Sequence, residues 1–151
     1  MRITWGAAIL ALAVGAGVYT TTSIVGAQAP LTQEGFPAAM KTVASTAGSV
    51  RTKLMMNQLP DAAKDLQTLA TTFGDVEKFF ASKNKSDAVM WAQTARAAAT
   101  AAAGAATAGD AMKATTEVGN LQATCKQCHG AYREQVPGSQ PPTYQFKAGA
   151  I

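Results

Sequence analysis

From Thr32 to about residue 135 the apolar residues recur at alternating intervals of three and four, the spacing that lines one face of an α-helix. A first segment, Thr32 to Gln58, carries Phe36, Met40, Val43, Ala47, Val50 and Leu54 on one stripe. Pro60 and Asp61 mark a break and restart, since proline is tolerated in a first helical turn where its missing N–H has no partner to lose. A second segment, Pro60 to Ser82, repeats the alternation with Leu66, Leu69, Phe73, Val76 and Phe80. After the polar turn "SKNKSD", Ser86 or Asp87 is placed to cap a third helix with an inner face of Ala88, Trp91, Ala95, Ala98, Ala102 and Ala105. Gly109 then stops that helix and Asp110 caps a fourth, with Ala114, Val118, Leu121, Cys125, Cys128 and Tyr132 on its stripe.

Four amphipathic segments joined by short turns predict an all-α fold, an antiparallel up-and-down four-helix bundle. The alanine face of the third helix lets neighbouring backbones approach closely, or leaves room for something bulky that is not protein. Past Pro137 and Gly138 no period continues, and residues 136–151 read as an extended or poorly ordered Pro-rich tail.

The N-terminus follows a different rule. Arg2 precedes an apolar stretch from Trp5 to Val18 and small residues around Val25, Gly26 and Ala27, the layout of an export signal cleaved after Ala27. Nothing between Ile3 and Gln33 is charged, so the competing reading is an uncleaved segment that anchors the domain in a bilayer. Thr20 to Ser23 interrupt the run and favour cleavage. Both readings put residues 28–135, the helical domain, outside the cytoplasm, in the periplasm. The formal charge of +4 falls to +3 without Arg2 and is scattered rather than clustered, which gives nucleic-acid binding no support.

The candidate chemistry lies in "CKQCHGAYR", Cys125 to Arg133, which holds both cysteines and the one histidine of the chain. Cys-x-x-Cys-His is the attachment signature of a c-type haem. Each sulfur adds across one vinyl group of the porphyrin, and the following histidine, His129, offers its imidazole to iron as proximal ligand. Export agrees, because haem is joined to c-type cytochromes beyond the cytoplasmic membrane. Three plainer readings compete. A Cys125–Cys128 disulfide meets poor geometry on a regular helix. A thioredoxin-like dithiol wants a strand-to-helix junction that this pattern lacks. A zinc site needs further Cys or His ligands, and the chain has none.

With these residues in view, the chain resembles the class II c-type cytochromes, the cytochrome c′ family. The resemblance covers residues 32 to 135: four helices, the attachment motif in the last, and "CKQCHGAYR" matching the family's Cys-x-x-Cys-His-x-x-Tyr-Arg. It implies that Cys125 and Cys128 carry one covalent haem c, that His129 binds its iron, and that Tyr132 and Arg133 belong to the haem environment. The competing reading of the last two is an ordinary packed tyrosine and a solvated arginine.

The resemblance also points to the first helix for the sixth iron position. The low-spin members place a methionine there, and "GFPAAMKTV" puts Met40 at that place. A Met–His pair suits electron transfer. Met40 also fits as plain core on its stripe, and Met55, Met56, Met90 and Met112 are the other thioethers of the helical domain. Where many members carry an arginine for a haem propionate, this chain has Phe36, leaving Lys41, Arg51 and Arg96 as unranked partners. Trp91, Phe73 and Phe80 are candidates for the porphyrin edge.

The expectation is therefore an exported monohaem carrier of single electrons between protein redox partners, not an enzyme. The alternative is a five-coordinate cytochrome c′ that binds nitric oxide or another small gas, and a third is a structural helical bundle with an incidental motif. The resemblance further implies a homodimer through the first two helices.

Overall fold

Each predicted stripe folds into one helix. The computed structural model describes residues 29–151, so the leader or anchor read in residues 1–27 lies outside the described residues. The helices are α1 (Phe36–Met55), α2 (Leu59–Ser82), α3 (Ser86–Thr107) and α4 (Ala111–Tyr132). None of the helices in the described residues is long and apolar enough to cross a membrane.

Three short turns of one design set the topology. The C-cap residues Met56, Lys83 and Ala108 are followed by Asn57, Asn84 and Gly109 in the left-handed region, with φ of 57°, 56° and 81°. At each turn the left-handed residue donates its N–H three residues back, to Leu54, Ala81 and Ala106. The next residue donates five back: Gln58 to Lys53, Lys85 to Phe80, and Asp110 to Ala105. This paired pattern is a Schellman motif, which satisfies carbonyls the helix end would leave open. The residue that closes each motif also begins the next helix, because the carbonyls of Gln58, Lys85 and Asp110 accept from Ala62, Val89 and Ala114. So abrupt a turn sends each helix back along its predecessor. Asp110 alone adds a side-chain cap, accepting from the Lys113 N–H at 2.9 Å. Neither Ser86 nor Asp87 is the N-cap of the third helix as the sequence suggested; the N-cap is Lys85, and Asp87, inside the first turn, accepts from the Ala88 N–H at 2.8 Å.

The core is a large-against-small arrangement. α2 supplies the bulk, with Leu59, Leu66, Leu69, Phe73, Val76, Phe79 and Phe80 all buried. α3 answers with alanine: nine of them between Ala88 and Ala106 are buried, on a face wide enough to meet both α2 and α4. The alanine face thus serves close approach of helices rather than an empty space. α1 packs mainly on α2 and touches α4 only lightly. A polar tie reinforces α1 on α2, since Asp65 accepts from Ser49 Oγ and Lys53 Nζ, both at 2.7 Å. Burial pushes the Asp65 carboxyl up, but those bonds outweigh it and hold its pKa below the ordinary carboxylate value.

The C-terminus departs from expectation. Helix α4 stops at Tyr132 instead of running to residue 135, and Arg133 is already extended. Strand β1 (Arg133–Gln135) pairs antiparallel with β2 (Tyr144–Phe146), Arg133 opposite Phe146 and Gln135 opposite Tyr144. The segment between them is tied by Ser139 Oγ, which donates to the Val136 carbonyl at 2.8 Å and accepts from the Thr143 N–H at 3.0 Å. The Pro-rich tail is a folded hairpin laid on the end of the bundle.

Two glycines of α3 and its turn separate backbone strain from helix propensity. Gly109→Ala forces a side chain into the left-handed region and should lower stability by about 1 kcal/mol. Gly104, within α3, has nothing beyond its own stretch of helix within 4 Å of where a Cβ would stand, so Gly104→Ala should raise stability by about 0.5 kcal/mol. Urea unfolding of the two variants should therefore move in opposite directions from wild type.

Candidate functional site

The motif occupies the last turns of α4. Cys125 and Cys128 stand three residues apart on the inward stripe, both half-buried against the core and both free thiols. His129 follows on the neighbouring edge, also half-buried. Burial pushes the Cys128 thiol up to about 11, helped by its neighbours Cys125 and Asp87. Burial likewise raises Cys125. Both therefore stay as S–H at neutral pH, a poor state for thiolate-driven disulfide exchange. Desolvation, aided by the charge of Arg133, lowers the pKa of His129 and favours the neutral imidazole that metal ions bind.

Behind the motif stands an aromatic wall. The Phe80 ring is fully buried and lies 5.1 Å from Tyr132, 5.2 Å from Phe79 and 5.6 Å from Phe36. Trp91 meets Tyr132 edge-on at 6.3 Å. The Tyr132 hydroxyl donates to Asp87 Oδ1 at 2.6 Å, tying the end of α4 to the start of α3. That link joins residues 45 apart in sequence, and no local signal announces it. Arg133 lies beyond the helix, exposed, its guanidinium 4.1 Å above the Tyr144 ring. It does not continue the helical face on which the sequence placed it, although its charge still acts on His129.

Met40 stands at the same end of the bundle. It is four residues into α1, and Cys128 is four from the end of α4; at a rise of about 1.5 Å per residue both lie about 6 Å from their helix ends. Those ends are level, because Phe36 and Tyr132 both pack on Phe80. Met40 is half-buried against the same core cluster as the cysteines. Met55, Met56 and Met112 are exposed at the opposite end, and Met90 is exposed on α3. Among the suggested propionate partners, Arg96 is engaged by Glu77 at 3.3 Å. Arg51 sits toward the far end of α1, and Lys41, exposed beside Met40, is at the motif's level. Phe73 is buried in the α2 stripe.

Two open grooves run along the bundle surface, one between α2 and α3 lined by Ala70, Thr71, Ala103 and Thr107, the other by Leu31, Ala39, Thr42 and Thr72; neither includes a motif residue. Among the described residues no group of three or more His, Cys, Asp or Glu is arranged to hold a metal ion. Comparison of the chain with protein-family models, with curated proteins and with solved structures gives no match.

The Tyr132–Asp87 bond predicts a pH window. The bond from Tyr132 chiefly depresses the Asp87 pKa, so its stabilisation is present above the unfolded carboxylate value, about 3.9, and fades as pH falls through the lower folded value. Desolvation first, and Asp87 next, push Tyr132 up to about 12, so the contribution is whole below the unfolded tyrosine value, about 10, and is lost as the pH rises from there through the folded value. Tyr132→Phe should therefore lower the urea midpoint by a constant amount between pH 5 and pH 9, and the difference should shrink as the pH is taken down below about 3.9.

Proposed function

We propose that this chain is an exported carrier of single electrons whose redox group is one haem c attached at Cys125 and Cys128. The carrying observation is the placement of Cys125, Cys128 and His129 on the last turns of α4, half-buried, level with Met40 across the bundle. The donor set fits the group. Two free thiols on one helical face match covalent attachment, each S–H adding across one vinyl bond to leave a thioether. His129 and Met40 offer only two donors to a metal, so an iron here must bring its remaining ligands with it, and a porphyrin supplies four. When bound, haem supplies an iron that alternates between two oxidation states.

The protein's own residues then have distinct tasks. Cys125 and Cys128 fix the group to α4. His129, kept neutral by burial, presents a ring nitrogen, and Met40 presents a thioether, a soft donor that favours the reduced state and little rearrangement on electron transfer. Tyr132, held by Asp87, keeps the end of α4 in register with α3. Lys41 is the nearest suggested cation in sequence and level for a propionate, and Arg133 is a second at the same end. Partners on this reading are other redox proteins, and no substrate is turned over.

The test is the visible absorption spectrum of the chain produced with an export signal in cells that mature c-type cytochromes. The expected protein stays red after acid–acetone extraction, shows sharp split bands when reduced, and ignores CO. Cys125→Ala with Cys128→Ala should lose the colour altogether. Met40→Ala should keep the covalent haem but turn high-spin and bind CO. A colourless wild type overturns the haem reading. Broad bands that shift with CO in the wild type move the function to binding of small gases.

A further inference from the structure

α1 is the least secured of the four helices. It packs on α2 and only lightly on α4, and its buried residues are Phe36, Val43 and Val50. The start of this helix is held from outside the bundle, by the hairpin. The Phe146 ring lies 4.8 Å from Phe36, 6.0 Å from Phe79 and 6.2 Å from Phe80. The strand that carries Phe146 is paired to the residues directly after α4. The next residue, Lys147, donates its N–H to the Tyr132 carbonyl at 2.9 Å and its Nζ to the Gly130 carbonyl at 2.6 Å. Both carbonyls belong to the last turn of α4, where the helix has no partners of its own to offer. Phe146 is thus anchored to α4 through its backbone and packed on α1 through its ring. Tyr144 and Gln145 beside it are exposed, so within β2 the ring is what reaches the core.

We propose that the C-terminal hairpin is a clasp and Phe146 a positioning residue. Through Phe36 it holds the first turn of α1 against the bundle end that carries Cys128 and His129. Met40, four residues after Phe36 on the same stripe, is held with it. The clasp stands on the contacts alone, whereas its bearing on Met40 rests on the proposed function.

The test compares full-length wild type with Phe146→Ala, Phe146→Tyr and Val50→Ala, the last a core variant toward the other end of α1. Amide hydrogen exchange read by mass spectrometry should accelerate about tenfold over residues 36–43 in Phe146→Ala, the scale expected for releasing a half-buried ring. Phe146→Tyr, which keeps the ring, should restore protection there, and Val50→Ala should leave it unchanged. In parallel, Phe146→Ala should retain its covalent haem yet gain a fraction that binds CO, which Val50→Ala should not. Unchanged exchange over residues 36–43 overturns the clasp, with or without haem. Faster exchange without a gain in CO binding overturns the role toward Met40. A wild type that already binds CO, or carries no haem, overturns that role through the proposed function itself, and the exchange data still decide the clasp. Should Phe146→Ala fail to fold, Phe146→Leu is read by the same two measurements.

Discussion

α1, α2, α4 and β2 meet at Phe80, and α3 joins them through Trp91. The Phe80 ring is wholly buried, and the side chains around it are Phe36 from α1, Phe79 from α2, Tyr132 from α4 and Phe146 from β2, with Trp91 of α3 against Tyr132. Aromatic pairs in such tilted and edge-on arrangements contribute about 0.5–1.5 kcal/mol each beyond the area they bury. Their structural effect is larger than that figure, because they fix the relative height of helices that otherwise slide on smooth alanine. Cys125, Cys128 and His129 sit within two turns of Tyr132. Their placement is inherited from this cluster rather than generated by contacts of their own.

The two ends of the bundle are built by different physics. Away from the motif, large side chains of α2 lie on the alanines of α3, a joint that allows close approach with little specificity of register. Register there comes from the backbone, through two Schellman turns that leave no slack between helices. At the motif end the single turn between α2 and α3 is supplemented by the aromatic cluster, the Tyr132–Asp87 bond and the hairpin. On the proposed function the site presents groups from both α1 and α4, and it needs this extra definition because those two helices barely touch.

The helical half of this arrangement was legible in the residues. A stripe of period three to four survives any tertiary context that buries one face, so Leu66 to Phe80 and Ala114 to Tyr132 read correctly as helices. Gly109 and Asp110 were legible because only a few residue types suit a left-handed stop and a cap. Asn57 and Asn84 perform the same stop, but asparagine is common in any polar turn and did not stand out. The hairpin was hidden for a different reason. Its strands are three residues each, too short to show a period of two, and Arg133–Gln135 continue a helical pattern that is ended by pairing with residues nine to thirteen positions away. Asp87 is not the N-cap but lies inside the first turn, where its Oδ1 accepts from the Ala88 N–H, a local bond, and from Tyr132, a long-range one with no local signal. The motif was legible as spacing, but what surrounds it depended on these long-range pairings.

The surroundings also bear on why two thiols and an imidazole should be held in this form. A dithiol built for exchange is placed where positive charge or a helix N-terminus lowers its pKa. Here the cysteines lie near the C-terminal end of α4, where the helix dipole disfavours a thiolate, and Asp87 adds negative charge beside Cys128. His129 has the opposite neighbour, Arg133, which disfavours the imidazolium. Burial acts first on all three, and for Cys128 and His129 the charges act in the same sense as burial, so each group is held neutral. A neutral S–H is the form that adds across a carbon–carbon double bond to give a thioether, and a neutral imidazole is the form that donates a lone pair to iron. The electrostatics of the site thus disfavour a catalytic thiolate, and the neutral forms they hold are those that the proposed attachment and ligation would use.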